Sequence, residues 1–353
     1  MRPVIPTADR HGLTVSARVY GLLLQLYPVR YRREYGPLMM QTFCDLTRDA
    51  YTERGLPELT RVWAHTLADV ASTVVTEHID EWFNNDRQPD FSMPAVEVHH
   101  ISKSFANWRG QLKPVLSDID LTVQSGEFVS VLGPTGCGKT TLLGVIAGLV
   151  RPTGGQVSVM GQPVQSLSRH VGYLFQKDAL FPWQTILNNV LAGPLFRGLD
   201  LSQAVARAHE WIGRVGLSGF ENFYPYQLSG GMRKRAALAQ SLITEPDVLL
   251  MDEPFGDLDV QTRTIMEEEL LDLCATTRVS VVYVTHDIEA AIRLAERVVV
   301  LTAAPAHVRA LYESDIAKPR RTASVRFQNR FVELYQQIRS DLRSEVLKNY
   351  ECI

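Results

Sequence analysis

The stretch Val131–Leu143 (VLGPTGCGKTTLL) has the residue types needed to bind a chain of phosphate groups. Within it, Gly133–Thr140 matches the pattern G-x-x-x-x-G-K-[ST] at every fixed position. Its glycines let the backbone curl so that successive N–H groups point at phosphate oxygens. Lys139 can reach the terminal phosphates, and the Thr140 hydroxyl can bind Mg²⁺. An ordinary glycine-rich turn is the alternative, but the apolar run before the pattern and the helical run after it favour a nucleoside-triphosphate site.

Acidic and histidine side chains follow two other apolar runs. Asp252 and Glu253 come directly after Val248–Met251, which is typical of a buried strand. Near a phosphate loop, one carboxylate can hold Mg²⁺ while the other orients or deprotonates a water molecule. The run Val279–Thr285 ends at His286. A lone histidine is often structural, but α/β folds bind ligands at the carboxyl ends of their strands, so His286 is a candidate contact for the terminal phosphate.

A second anion-binding pattern lies at the predicted start of a basic helix. Ser229–Gly231 stand in the run LSGGM, and Arg233–Arg235 follow it directly. The serine hydroxyl, the free backbone donors and the helix dipole would converge on one anion. The basic residues alone are equally well explained as a solvated helix face.

The segment between these patterns is predicted to be an exposed loop followed by helices. Gln176 ends a short β run, and the loop Lys177–Gln184 (KDALFPWQ) is rich in apolar side chains. We expect Leu180, Phe181 and Trp183 to be exposed there, which implies a partner that covers them. The sequence from Leu187 to about Leu217 predicts an inserted helical subdomain, with breaks at Gly193-Pro194 and at Gly198.

Upstream of the phosphate loop, two alternating runs predict an antiparallel edge. They are Val96–His99 and Leu121–Val123, and Phe105 is expected on the turn between them. An aromatic residue there is either a buried corner or a stacking platform for a purine base. Its position ahead of the phosphate loop favours stacking.

The N-terminal part of the chain predicts a separate helical module. Three amphipathic helices are expected over residues 14–83, followed by the polar, proline-containing linker Asn84–Pro94. Their apolar stripes either pack together as a self-contained bundle or serve as a docking or membrane-surface element. We predict a module of residues 1–83, a linker of residues 84–94, a catalytic domain of residues 95–320 and a helical tail of residues 321–353.

Composition is that of a globular cytosolic protein. The 353 residues are 45% hydrophobic, and the net charge of −3 with a pI near 6.3 gives no basic footprint for nucleic acid. No apolar run approaches the length of a membrane span. The cysteines are widely spaced and are expected to be reduced thiols. Among them, Cys137 lies beside Lys139 at a predicted helix start, where we expect a favoured thiolate.

Taken in order, the phosphate loop, Gln176, LSGGM, LLMDEP, GDLD and THD resemble the ATP-binding cassette (ABC) ATPases over about residues 95–320. The loop FQKDALFPWQTILNNV, Met232 in LSGGM, and the tail that begins at Lys318-Pro-Arg-Arg321 resemble the nitrate/sulfonate/taurine importer branch. The resemblance implies an α/β fold of the P-loop NTPase class: a mixed sheet core, an antiparallel β edge and an inserted helical subdomain, with the N-terminal module outside it.

The resemblance also implies a role for each matching residue. The phosphates would be wrapped by Gly133, Pro134, Thr135, Gly136, Cys137, Gly138, Lys139, Thr140 and Thr141, with adenine stacked on Phe105. Mg²⁺ would be bound by Thr140, Gln176 and Asp252, and hydrolysis would use Lys139, Gln176, Glu253 and His286. The ATP of a second copy would be contacted by Ser229, Gly230 and Gly231, with Asp259 at the dimer seam. Gln240 stands where the family usually has arginine, and the effect of that difference stays open.

These implications predict the ATPase subunit of an ABC importer, with ATP and Mg²⁺ as cofactors. It would work as a head-to-tail dimer on the cytoplasmic face of the membrane and drive uptake of a small, nitrate-, sulfonate- or taurine-like solute. The expected partners are permease subunits, contacted through Gln176–Trp183, a second copy of the chain and, indirectly, a solute-binding protein; no nucleic acid is expected. The alternatives are an exporter ATPase, which the FPWQ loop disfavours, and a non-transport ABC protein, in which tandem cassettes or a long coiled coil would be expected.

Overall fold

The computed structural model describes residues 93–108, 110–316 and 323–351, together with scattered residues between 16 and 66. The chain divides into two compact units, Met1–Pro89 and Asp90–Ile353. Most of the N-terminal helices predicted over residues 14–83, and the linker up to residue 92, lie outside the described residues.

Aromatic contacts join distant parts of the first unit. Tyr20 stacks on Phe43 with ring centroids 4.1 Å apart, and Trp63 meets the same ring edge-on at 5.1 Å. The indole Nε1 of Trp63 donates a hydrogen bond of 3.3 Å to Ser16 Oγ. These contacts bury apolar surface within the unit, as expected where amphipathic helices pack together.

The second unit contains strands and helices in alternation. The described strands are β1 (Pro94–Ala106), β2 (Leu112–Gln124), β3 (Phe128–Leu132), β4 (Gly154–Val159), β5 (Gln162–Pro163), β6 (Val171–Leu174), β7 (Val248–Asp252), β8 (Ser280–Val284), β9 (Arg297–Leu301) and β10 (Val308–Glu313). The described helices are α1 (Lys139–Ile146), α2 (Ile186–Phe196), α3 (Leu201–Arg214), α4 (Gly230–Leu242), α5 (Val260–Thr277), α6 (Ile288–Leu294) and α7 (Asn329–Glu351). None of the helices within these described segments is long and apolar enough to cross a membrane.

Two sheets form the core of this unit. One is antiparallel with the order β2-β1-β4-β5, and the other has the order β10-β9-β3-β8-β7-β6. In the larger sheet β9, β3, β8, β7 and β6 run parallel, whereas β10 is antiparallel to β9. The predicted mixed sheet and antiparallel edge are therefore confirmed.

The central strands are buried on both faces, which explains why their sequences are continuously apolar. Their side chains alternate between two core clusters. Val131, Leu250 and Val282 join the cluster shared with α1 and the antiparallel sheet. Leu132 and Met251 join the cluster on the opposite face, which is shared with the helices after β6. The sheet therefore holds its strand ends rigidly between two packed layers.

The helical insertion differs from the prediction at one point. Gly193-Pro194 does not break the chain: Pro194 lies inside α2, and the break comes after Phe196, where Gly198 has φ 80°. The N–H that proline lacks belongs to the last turn of α2, so only one backbone bond is lost. At Gly193 the lack of a side chain allows close packing instead, because a Cβ there would lie 2.8 Å from Thr244 Cγ2.

The final helix packs against the rest of the second unit. Phe331, Leu334 and Ile338 on α7 are buried in the cluster that also contains α6 residues. Arg309 on β10 lies 3.0 Å from the buried Glu345 and 3.1 Å from Asp341. The apolar stripe of this helix therefore covers part of the core.

Candidate functional site

The phosphate loop connects the buried strand β3 to the first turn of α1. Gly136 and Gly138 have φ of 79° and 116°, a region that L side chains rarely adopt. At Gly138 the space is also closed, because a Cβ would lie 2.8 Å from Val115 Cγ1 and 2.9 Å from Leu116 Cδ2. The backbone conformation of the loop therefore requires this glycine pattern. The first N–H groups of α1, which have no partner within the helix, lie at the end of the loop where phosphates would bind.

Lys139, the first residue of α1, is a buried cation next to these N–H groups. Its Nζ donates hydrogen bonds to the carbonyl oxygens of Gly133 (2.9 Å) and Pro134 (3.1 Å). The ammonium group therefore closes the loop upon itself and brings a positive charge to the place where phosphates would lie.

Asp252, the last residue of β7, is a buried carboxylate facing the same loop. Burial raises its pKa above the ordinary value, and the neighbouring Glu253 adds to this, whereas a hydrogen bond with the Thr140 side chain and the charge of Lys139 oppose it. A carboxylate and a hydroxyl are the hard oxygen donors that Mg²⁺ prefers, and a cation would compensate the buried charge. Thr140 and Asp252 therefore fit the predicted magnesium site.

Glu253 and His286 face each other beside this pair. Glu253 has φ 46°, and its N–H donates to Val284 O (3.0 Å). Its Oε2 lies 3.1 Å from His286 Nδ1. A left-handed conformation is unfavourable for a residue with a side chain, so the surrounding strands must hold Glu253 in it. The result is a carboxylate and an imidazole that point into one space.

That space is a cavity of about 600 Å³, within the range that small-molecule sites occupy. It is lined by Val115, Thr135, Gly136, Gly138, Lys139, Thr140, Thr141, Gln176, Asp252, Glu253 and His286. The structure therefore brings together the phosphate loop and three separate strand ends, as predicted. Val115 on β2 is the one of these lining residues that no sequence pattern had indicated.

Other predicted site residues, all in the described part of the chain, do not line this cavity. Phe105 is not on a turn but near the end of β1, because that strand continues to Ala106 and pairs Phe105 with Lys113. Its ring is 43% exposed, and Lys103 Nζ lies 4.8 Å from its centroid. Ser229 caps α4 by accepting a bond from Met232 N (3.3 Å). Asp259 caps α5.

Cys137 differs from the expectation of a favoured thiolate. It is fully buried, and its Sγ lies behind the loop, where a Cβ on Gly133 would approach it to 2.8 Å. Burial raises the pKa of the thiol, and the nearby Lys139 only partly opposes this. The expectation was wrong because desolvation outweighs the charge and the helix start.

The loop after Gln176 is anchored more firmly than its sequence suggested. Leu180 was predicted to be exposed, but it is buried in the core, while Phe181 is half-buried and Trp183 is 71% exposed. The rings of Phe181 and Trp183 lie 5.6 Å apart. The buried Asn189 on α2 holds the loop, accepting from Phe181 N (2.6 Å) and donating to the carbonyls of Phe181 (3.2 Å), Gln184 (3.1 Å) and Thr185 (2.9 Å).

The basic residues that begin α4 are not a freely solvated face. Arg233 Nε lies 3.1 Å from Asp178 Oδ2, and Arg235 Nη2 lies 2.5 Å from Glu269 Oε1. Lys234 is buried. Their partners come from distant parts of the sequence, which is why periodicity alone could not reveal them.

Comparison with known proteins agrees with this geometry. A family model described as ABC transporter matches residues 116–256. An ABC transporter ATP-binding protein of Methanocaldococcus jannaschii is 42% identical over 254 residues, which cover 72% of this chain and 93% of that protein. An aliphatic sulfonates import ATP-binding protein of Bacillus anthracis is 38% identical over 242 residues, 69% of this chain and 95% of that protein. A taurine import ATP-binding protein of Rhizobium johnstonii is 38% identical over 253 residues, 70% of this chain and 97% of that protein.

A solved structure shows the same fold. An ATP-binding cassette in a dimeric, post-hydrolysis state bound to ADP and Pi has a TM-score of 0.57 and 30% identity, covering 63% of this chain and 100% of that chain. The chain is thus a member of the ABC transporter family of ATP-binding proteins, and its second unit is an ATPase cassette.

Proposed function

We propose that this chain is the ATP-hydrolysing subunit of an ABC importer that takes up a small anionic solute of the nitrate, sulfonate or taurine type. Support comes from the relatives named for the import of aliphatic sulfonates and taurine, which this chain matches over nearly their whole length. The observation that carries the proposal is the loop Gln176–Trp183, whose first residue lines the cavity and whose last is widely exposed.

In the proposed mechanism, the phosphate loop and Lys139 bind the β- and γ-phosphates of ATP, and Phe105 stacks on adenine. Thr140 and Asp252 would hold Mg²⁺, which when bound would neutralise negative charge on the phosphates. Glu253 orients or deprotonates the attacking water, and His286, whose Nδ1 lies 3.1 Å from Glu253 Oε2, contacts the γ-phosphate. Gln176 senses the nucleotide at the edge of the same cavity.

A second copy of the chain completes the site. Ser229–Gly231 and Asp259 lie outside the cavity, yet Ser229 presents a helix start of the kind that binds anions. The related cassette was solved as a dimer with ADP and Pi. In a head-to-tail dimer, the start of α4 in one copy would contact the γ-phosphate of the ATP bound by the other. ATP would then stabilise the closed dimer, and hydrolysis would release it.

The membrane subunits contact the pair Phe181 and Trp183 in this proposal. The widely exposed Trp183 and the half-buried Phe181 form one aromatic pair on a loop that Asn189 holds in place. The chain would therefore be peripheral, on the cytoplasmic face of the membrane, with a solute-binding protein acting on the far side.

The test is made in the transporter to which this chain belongs, using the membrane subunits of that transporter. Phe181→Ser with Trp183→Ser should keep the ATPase rate of the isolated chain but prevent co-purification with those subunits. Phe327→Ser, which removes another widely exposed aromatic ring, serves as the matched control. Normal co-purification of the double variant would contradict the docking assignment. Uptake of labelled taurine, an alkanesulfonate and nitrate that did not depend on this chain would contradict the importer role.

A further inference from the structure

Lys234 on α4 is a buried cation whose partners lie on the loop after β6. Its Nζ donates a hydrogen bond of 2.7 Å to the backbone carbonyl of Gln176 and lies 2.9 Å from Asp178 Oδ1. An ammonium group is costly to bury unless it is paired. If the loop moved away, the Lys234 ammonium group would stay buried without its hydrogen-bond and charge partners. These contacts join Lys234 to Gln176, which lies 58 residues earlier in the sequence.

A second cation of the same helix binds the same carboxylate. Arg233 Nε lies 3.1 Å from Asp178 Oδ2, and its Nη1 donates to the Leu228 carbonyl (2.8 Å). Leu228 directly precedes Ser229, the N-cap of α4. Asp178 is thus held between two adjacent cations, and the cluster reaches the residues that precede the helix.

The loop itself is rigid beyond these contacts. Leu180 is buried in the core, and Asn189 bonds the backbone from Phe181 to Thr185. A displacement at Gln176 would therefore be carried to Trp183 rather than absorbed between them. The start of α4, the cavity edge and the exposed aromatic pair form one connected structure through Lys234.

We propose that Lys234 is a positioning residue that makes the start of α4 and the loop Gln176–Trp183 move together when nucleotide binds. Nucleotide contact at Gln176 then repositions the anion-binding end of α4, and a movement of the loop reaches α4 by the same bond. The proposal rests on the proposed function, in which this loop contacts the membrane subunit. Lys234 does not touch the nucleotide, so its effect is transmitted through the Gln176 carbonyl.

Substitutions of Lys234 can distinguish a role in coupling the loop to α4 from a role in stabilising the fold alone. Lys234→Met keeps an unbranched apolar stem and leaves Asp178 paired with Arg233, so no buried carboxylate loses all its partners. Lys234→Gln keeps an N–H donor for the Gln176 carbonyl. Arg235→Met is the matched control, because it removes the next cation of the helix, whose carboxylate partner is Glu269 rather than a loop residue.

The experiment measures hydrogen–deuterium exchange in the full chain, with and without Mg-ATP, in a Glu253→Gln background that slows hydrolysis. In the parent protein, Mg-ATP should slow exchange in residues 176–185 and in residues 228–242 together. In Lys234→Met, residues 176–185 should exchange about tenfold faster but still respond to Mg-ATP, because Gln176 lines the nucleotide cavity, whereas residues 228–242 should lose their response. Affinity for Mg-ATP should change less than about threefold, since the phosphate ligands are untouched. Lys234→Gln should recover part of the response, and Arg235→Met should retain it.

Two results would overturn the proposal. A response of residues 228–242 in Lys234→Met equal to that of the parent would show that the bond does not couple the two segments. A loss of response in both segments would show that Lys234 only stabilises the helix. Neither result depends on the membrane subunits, so a failure of the importer role, seen in co-purification and uptake, is distinguishable from a failure of this coupling.

Discussion

Replacing Asn189 by leucine should destabilise the cassette by about 2–3 kcal/mol, because one side chain holds most of a loop. Asn189 is fully buried and makes one accepted and three donated contacts with the backbone of residues 181–185. Its amide carries two N–H groups, so about three bonds are made at once, each worth about 1 kcal/mol net. Leucine gives back about 0.5 kcal/mol through its higher helix propensity.

Thermal and urea unfolding of the full chain check this value. The loss corresponds to a fall of about 5–10 °C in the melting temperature of a cassette of this size. Asn188→Leu is the matched control, because that neighbouring side chain is exposed on the same helix. A loss below about 1 kcal/mol, or equal losses for the two variants, would refute the view that the Asn189 amide holds the loop.

Three further predictions concern the cassette and the first unit. Glu253→Gln should keep ATP binding but lower turnover by about 10²–10⁴-fold, because an amide is not a base; a wild-type hydrolysis rate would remove Glu253 from the mechanism. Cys137 should react with a maleimide far more slowly in the folded protein than in urea, because it is buried and its thiol pKa is raised; mass spectrometry showing equal rates would contradict this. Deleting residues 1–90 should leave a folded protein that binds ATP with nearly unchanged affinity, since Met1–Pro89 forms its own compact unit. The truncated protein should lose assembly or transport, and a truncation that cannot bind ATP would show instead that the first unit is part of the cassette core.

The phosphate loop and the strand ends could be predicted because their chemistry constrains both residue type and spacing. Gly138 must be glycine for its positive φ and its contact with Val115, and that need is visible in the sequence as a fixed pattern. Asp252 and His286 follow apolar runs, and parallel pairing of β7 with β8 brings the ends of those runs together. In such cases a local pattern and a general rule of sheet geometry are sufficient.

The contacts that hold the loop after β6 could not be predicted in this way. The partners of Lys234 lie 58 and 56 residues away, and neither helix periodicity nor charge pattern indicates which loop a cation will meet. Leu180 and Trp183 are both apolar residues of one loop, yet only Leu180 is buried in the core. The pKa of Cys137 could not be predicted from the sequence either. The direction of its shift depends on how deeply the thiol is buried, which the sequence does not reveal.

The two hydrogen bonds from Lys139 to its own loop affect how genetic controls should be chosen. A substitution there removes a phosphate ligand, but it also deprives the carbonyls of Gly133 and Pro134 of their donor. A strain carrying such an allele would combine lost catalysis with an altered loop and lower protein abundance, and the two causes of a transport defect would be confounded. An allele at Glu253, whose side chain makes no bond to the loop in the described structure, separates them and is the better inactive reference for complementation.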